Sequence, residues 1–178
     1  MTGRRILLSL LPAFVLLSAG CARVVETRFL NFDAESSAGA LGPGWSGFEK
    51  TAENDTFSWC QSKQGKLSLK IAGTGDRLIR FRCWAFAFPG SGAQSATVFV
   101  NDARLEVVPI AGDPRVYTIL APAAVFRKGD NELRLEFTYA ESPKDRVPGS
   151  VDERTLSAAF DWIEILPPAP VAAPAKKS

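Results

Sequence analysis

The sequence predicts an all-β fold, a sandwich or barrel of short strands. Two observations carry this. Apolar residues recur at alternate positions in run after run, the period of a strand with one buried face. Gly, Pro, Asn and Asp clusters punctuate the runs, and no segment sustains a helical period. The longest run, Arg77 to Phe88, lies between Gly73-Thr74-Gly75 and Pro89-Gly90-Ser91-Gly92. One of its faces, Ile79, Phe81, Cys83, Ala85 and Ala87, reads as core. The other, Leu78, Arg80, Arg82, Trp84, Phe86 and Phe88, is either a second packed layer or a binding surface.

The remaining elements follow in chain order. Thr27–Asp33 is a poorly alternating first strand, followed by a small, polar loop to Gly44. Trp45–Glu49 is a short extended segment, and Thr56–Gln61 puts Phe57 and Trp59 on one face. Lys66–Ala72 alternates cleanly, with Leu67, Leu69 and Ile71 inward. Ala96–Val100 and Leu105–Ile110 flank the hairpin signal Asn101-Asp102-Ala103. Arg115–Leu120 is a strand, Pro122–Phe126 one helical turn, and Glu132–Tyr139 a strand with Leu133, Leu135, Phe137 and Tyr139 on one face. A long charged loop, Ala140–Glu153, of the kind that is often functional, leads to the last strand, Leu156–Leu166. Pro167–Ser178 is Pro/Ala-rich and is expected to be disordered.

The chain has 178 residues, 46% hydrophobic, enough for one core. It carries 21 Lys+Arg and 19 Asp+Glu. Two of the basic residues, Arg4 and Arg5, fall in a segment expected to be removed, which leaves the side chains of the mature chain balanced and argues against a nucleic-acid partner. The sequence has 0 His, which excludes a Ser-His-Asp triad, a Cys-His pair and most catalytic zinc sites.

Residues 1–20 read as an export signal: Arg4-Arg5, then Ile6 to Leu17, an apolar stretch too short to span a bilayer. Leu17-Ser18-Ala19-Gly20-Cys21 resembles the bacterial lipobox, with Ser18 where that motif prefers leucine. The resemblance implies diacylation of Cys21, a linker over residues 21–26 and a lipid bilayer as partner. Because Ala22 rather than aspartate follows, the implied destination is the outer membrane of the cell envelope. The alternative is an ordinary cleaved signal with an incidental cysteine. Export leaves Cys60 and Cys83 as a pair in an oxidising compartment, expected as a disulfide worth roughly 3 kcal/mol on the chain-entropy model, against the alternative of two buried thiols.

Thr97-Val98-Phe99-Val100-Asn101-Asp102 and Arg127-Lys128-Gly129-Asp130-Asn131-Glu132-Leu133 together resemble the hairpin and turn motifs of galactose-binding-like jelly-roll modules. Phe32-Asp33, Gly44-Trp45-Ser46 with Glu49, and Asp152–Leu156 with Ala159-Phe160-Asp161 are similar to segments of accessory modules beside bacterial sulfatases and glycosyltransferases. The likeness spans residues 27–166 and implies a jelly-roll β-sandwich. Such modules often carry a structural calcium joining the first and last strands, for which Asp33 and Asp161 are the ligands to test; the alternative, with no cofactor, is that Asp33 caps a turn and Asp161 is an ordinary strand carboxylate.

Sugars present apolar C–H faces to aromatic rings, and Arg, Asn and Asp reach their hydroxyls. Trp45, Arg80, Arg82, Trp84 and Phe86 are the candidate ligand-binding residues, with Trp59 and Phe88 further aromatics of the same kind. Trp162, beside Ile163, reads as core. Carboxylates are plentiful, but no spacing selects a glycosidase pair. The expected function is a non-catalytic envelope lipoprotein that binds a glycan or polysaccharide. The alternative is a structural or assembly lipoprotein that docks another envelope protein.

Overall fold

A computed structural model of the protein describes residues 26–33, 37–51, 54–73 and 75–167. The export signal, Cys21 and the tail after residue 167 lie outside the described residues. The strands are β1 (Phe29–Asn31), β2 (Trp45–Lys50), β3 (Thr56–Cys60), β4 (Gln64–Ile71), β5 (Arg77–Ala85), β6 (Gln94–Val100), β7 (Ala103–Ile110), β8 (Arg115–Ala121), β9 (Gly129–Phe137) and β10 (Ala158–Leu166). Among the described residues the only helical pieces are a 3-10 turn at Ala123–Val125 and one α-turn, α1 (Pro143–Arg146). Pro143 opens α1 because its fixed φ and missing N–H suit the first helical position.

The strands form two sheets. One has six strands in the order β2-β3-β10-β5-β8, with β1 beside β10; the other has four in the order β4-β9-β6-β7. Every pairing is antiparallel. The inner faces meet in one core. Phe160 on β10 lies at its centre, with ring centroids of Phe32, Trp45, Phe81 and Phe137 at 5.9, 5.4, 5.8 and 6.2 Å. Leu67, Leu69, Ile71, Val98, Val100, Leu133 and Leu135 close it from the second sheet. The hairpin turn keeps Asn101 at φ 53°, a conformation Asn tolerates, and its side chain donates to the Val125 carbonyl and to Asn131 Oδ1. That network ties the two motifs singled out in the sequence to each other.

A register shift in the β10–β5 pairing falls between Phe160 and Trp162. The extra residue, Asp161, changes the phase of alternation, so Phe160 and Ile163 both point into the core while Trp162 turns outward. Trp162 is therefore half-buried on the outer face, not core, because a bulge cannot be read from alternation alone.

The cysteine expectation is corrected. Cys60 and Cys83 are buried free thiols. Strand β10 lies between β3 and β5, so two strand spacings, about 9.6 Å, separate their backbones, beyond disulfide reach. Burial pushes both thiols up, Cys83 strongly.

Candidate functional site: an aromatic floor on one outer sheet face

Strand alternation puts Trp84 of β5 and Trp59 of β3 on the outer face, each in register with Ala159 of β10. The small alanine between them lets the two indoles meet over it, with centroids 6.4 Å apart, and Ala159 is sealed beneath them. Phe57 packs 5.2 Å from Trp84, and Phe86 6.2 Å from Trp59. Phe88 continues the row at 5.4 Å from Phe86, and Tyr139 closes it at 5.7 Å from Phe88. Edge-to-face geometry dominates this array, the arrangement that the ring quadrupole favours. Trp59, Trp84 and Phe86 remain partly exposed, so the floor is packed from below and open above.

Two guanidinium clusters border the floor. The Arg82 guanidinium donates to both Asp161 and Asp55, and the hydrogen bond to Asp161 is the main reason its pKa is raised. Arg154 donates to Asp152 through paired bonds and to Glu49 as well. Glu49 is the register partner of Phe57 and so shares its face. The hydrogen bond from Arg154 holds the Asp152 carboxyl below the usual carboxylate range. These contacts pin the loop between β9 and β10 against β2. The same loop places the Arg146 guanidinium 5.7 Å from the Phe88 ring centroid, with Arg146 also paired to Glu141. Tyr139 donates from its hydroxyl to the Phe86 carbonyl and fixes that end of the floor.

The structure therefore brings Arg82, Trp84 and Phe86 together, with Trp59 and Phe88 beside them. It places Arg80 elsewhere on the same face, paired with Glu164 at 2.9 Å and 5.8 Å from the Trp162 ring centroid. Trp45 is corrected. It packs between the sheets, 5.0 Å from Phe32, and its indole N–H donates to the Lys66 carbonyl. Gly65 makes the space, since a Cβ there would come within 2.9 Å of the Trp45 ring. Phe57 was legible as the alternation partner of Trp59. Arg154 and Glu49 were not, because they are far apart in sequence and meet only through the loop.

Asp33, just past β1, and Asp161, on the neighbouring β10, lie where the Phe32 amide donates to the Asp161 carbonyl at 2.8 Å, and each carboxylate has a protein partner. Asp161 accepts from Arg82, and Asp33 Oδ2 accepts from the Asn31 amide at 2.9 Å. Calcium takes six to eight oxygen ligands, and no group of three or more acidic, Cys or His side chains converges among the described residues.

Compared with protein-family models and with curated proteins, the sequence matches none. Solved structures do resemble it. A family GH115 4-O-methyl-α-glucuronidase with specificity for decorated arabinogalactans matches over 82% of this chain and 18% of its own, at 12% identity and TM-score 0.50. The CBM36-1 domain of a multidomain xylanase from the hindgut metagenome of Trinervitermes trinervoides matches over 79% of this chain and 96% of its own, at 14% identity and TM-score 0.48. The C-terminal CBM6 of LamC from Zobellia galactanivorans matches over 78% and 98%, at 13% identity and TM-score 0.44. The likeness is one of fold: this chain is a jelly-roll β-sandwich of two antiparallel sheets.

Proposed function

We propose that this protein is a non-catalytic glycan-binding module, held at a bacterial membrane through acylated Cys21. The observation that supports glycan binding is the Trp59–Trp84 floor, which leaves two partly exposed indoles beside the Arg82 and Arg154 clusters. Indole faces accept the C–H face of a pyranose, and the bordering charges reach its hydroxyls. The carboxylates at the floor are bridged in pairs by guanidinium groups, Asp55 and Asp161 by Arg82, Glu49 and Asp152 by Arg154. A glycosidase acid needs a raised pKa, whereas Asp152 is lowered. A glycan array probed with the folded domain, including envelope polysaccharides, tests this reading. Binding to a defined glycan class is the expected result. No binding across the panel, with a discrete envelope protein crosslinked to Trp84 in cells, would replace glycan with protein as the occupant.

A further inference from the structure

At the opposite end of the same outer face the chemistry changes from flat rings to aliphatic groups. Leu78 on β5 is in register with Leu120 on β8 and with Leu166 on β10, which makes a row of three leucines across three strands. Leu120 is 57% exposed, and Phe29, one row along on β1, is 53% exposed. Rows of leucine offer a pyranose neither a flat face nor a hydrogen-bond partner. The row suits contact with hydrocarbon rather than an extension of the floor.

Both chain ends leave the sandwich here. The amide of Ile165 donates to the Arg28 carbonyl at 2.9 Å, so the start of the domain and the end of its last strand are side by side. From Cys21 to Glu26 is five peptide steps, at most about 17 Å when fully extended. Acylation of Cys21 would therefore keep this end within that distance of the bilayer. Asp76 and Asp102 are exposed carboxylates at this end, outnumbered by Arg28, Arg127 and Lys128, which are exposed and have no ion-pair partner among the described residues. They suit anionic headgroups. They oppose two other occupants, a second copy, which brings the same cations, and the chain's own tail, which ends in Lys176-Lys177.

We propose that the Leu78–Leu120–Leu166 row, with Phe29, seats on the bilayer surface as a second membrane contact beside the lipid anchor. The proposal rests on the Cys21 reading. Seated so, the Trp84 floor stands six residues up β5, about 20 Å from the leucine row. A single acyl chain gives only marginal attachment, so a second contact has a thermodynamic role if acylation is incomplete, and an orienting role in any case.

The test uses the full acylated chain in phosphatidylethanolamine/phosphatidylglycerol vesicles that contain a spin-labelled lipid. Leu120→Cys carries a fluorophore. Val107→Cys, 43% exposed on the other sheet, is the control. Burial of Cys60 and Cys83 keeps the label selective. Lipid quenching at residue 120 should exceed that at residue 107 by about threefold or more. Equal quenching on chains that float with the vesicles would overturn the seating and leave the anchor intact. Chains that do not float would overturn both. Shielding of residue 120 without vesicles, rising with protein concentration, would assign the face to a second copy and overturn the proposal.

Discussion

The outer faces of the two sheets share one alternation and hold opposite chemistry. On the four-stranded sheet the outward positions form an ion ladder. Lys66 meets Glu132 at 3.0 Å, Arg134 meets Glu132 and Glu136, and the one partly exposed aromatic among them, Phe99, lies 4.0 Å under the Arg134 guanidinium. On β4 and β9 each outward charge is answered by a neighbour, and the ring is covered. On the six-stranded sheet Trp59, Trp84, Phe86 and Phe88 stand together with no cation over Trp59 or Trp84 among the described residues. The difference teaches that burial alone does not mark a site, since both faces are half-buried. What marks it is unanswered aromatic surface beside hydrogen-bonding groups held still.

The largest expected effect falls on the aromatic face. Replacing Trp59 and Trp84 together by Ala removes two stacking surfaces worth about 1 kcal/mol each, so affinity for the array-selected glycan should fall ~30-fold or more by calorimetry. Unchanged affinity in a folded double variant would move the site off this face. Next is Arg82→Met. It leaves Asp161, 8% exposed, without its guanidinium partner, at a cost of about 1–3 kcal/mol in urea unfolding. A negligible cost would mean that Asp161 finds water instead.

The ladder should respond less. Glu132→Gln breaks a pair whose side chains are 38% and 41% exposed, which predicts a stability loss of about 0–1 kcal/mol and no change in glycan binding. An effect on binding there would dissolve the distinction between the faces. The smallest effect concerns pH. The Asp152 carboxyl is depressed in the folded chain, so its contribution is present above the unfolded pKa and lost as pH falls through the folded one. Asp152→Asn should remove a small part of the acid destabilisation seen in urea midpoints below the usual carboxylate range. A variant with the parent's full acid response would show that Arg154 does not stabilise that carboxylate.

Much of the fold was legible because alternation is a local property. Leu67, Leu69 and Ile71, or Ile79, Phe81 and Cys83, announce their inner face without reference to any partner. The site was legible in part for the same reason: Arg82, Trp84 and Phe86 share one strand face. What stayed hidden depends on pairs distant in sequence. The disulfide expectation failed because strand order, not spacing along the chain, places β10 between the two cysteines. Trp162 turned outward because of a bulge, and Trp45 turned inward because Gly65 opened a slot for it. The Arg154–Glu49 contact joins residues 105 positions apart, through a loop whose course alternation does not describe.

Hydroxyl-radical footprinting with and without a bound glycan tests the central claim most directly, because it reads both faces in one experiment. Protection should appear at Trp59, Trp84 and Phe86 and not at Phe99. Protection at Phe99 with Trp59 and Trp84 unchanged would contradict the account and place the ligand on the ion ladder.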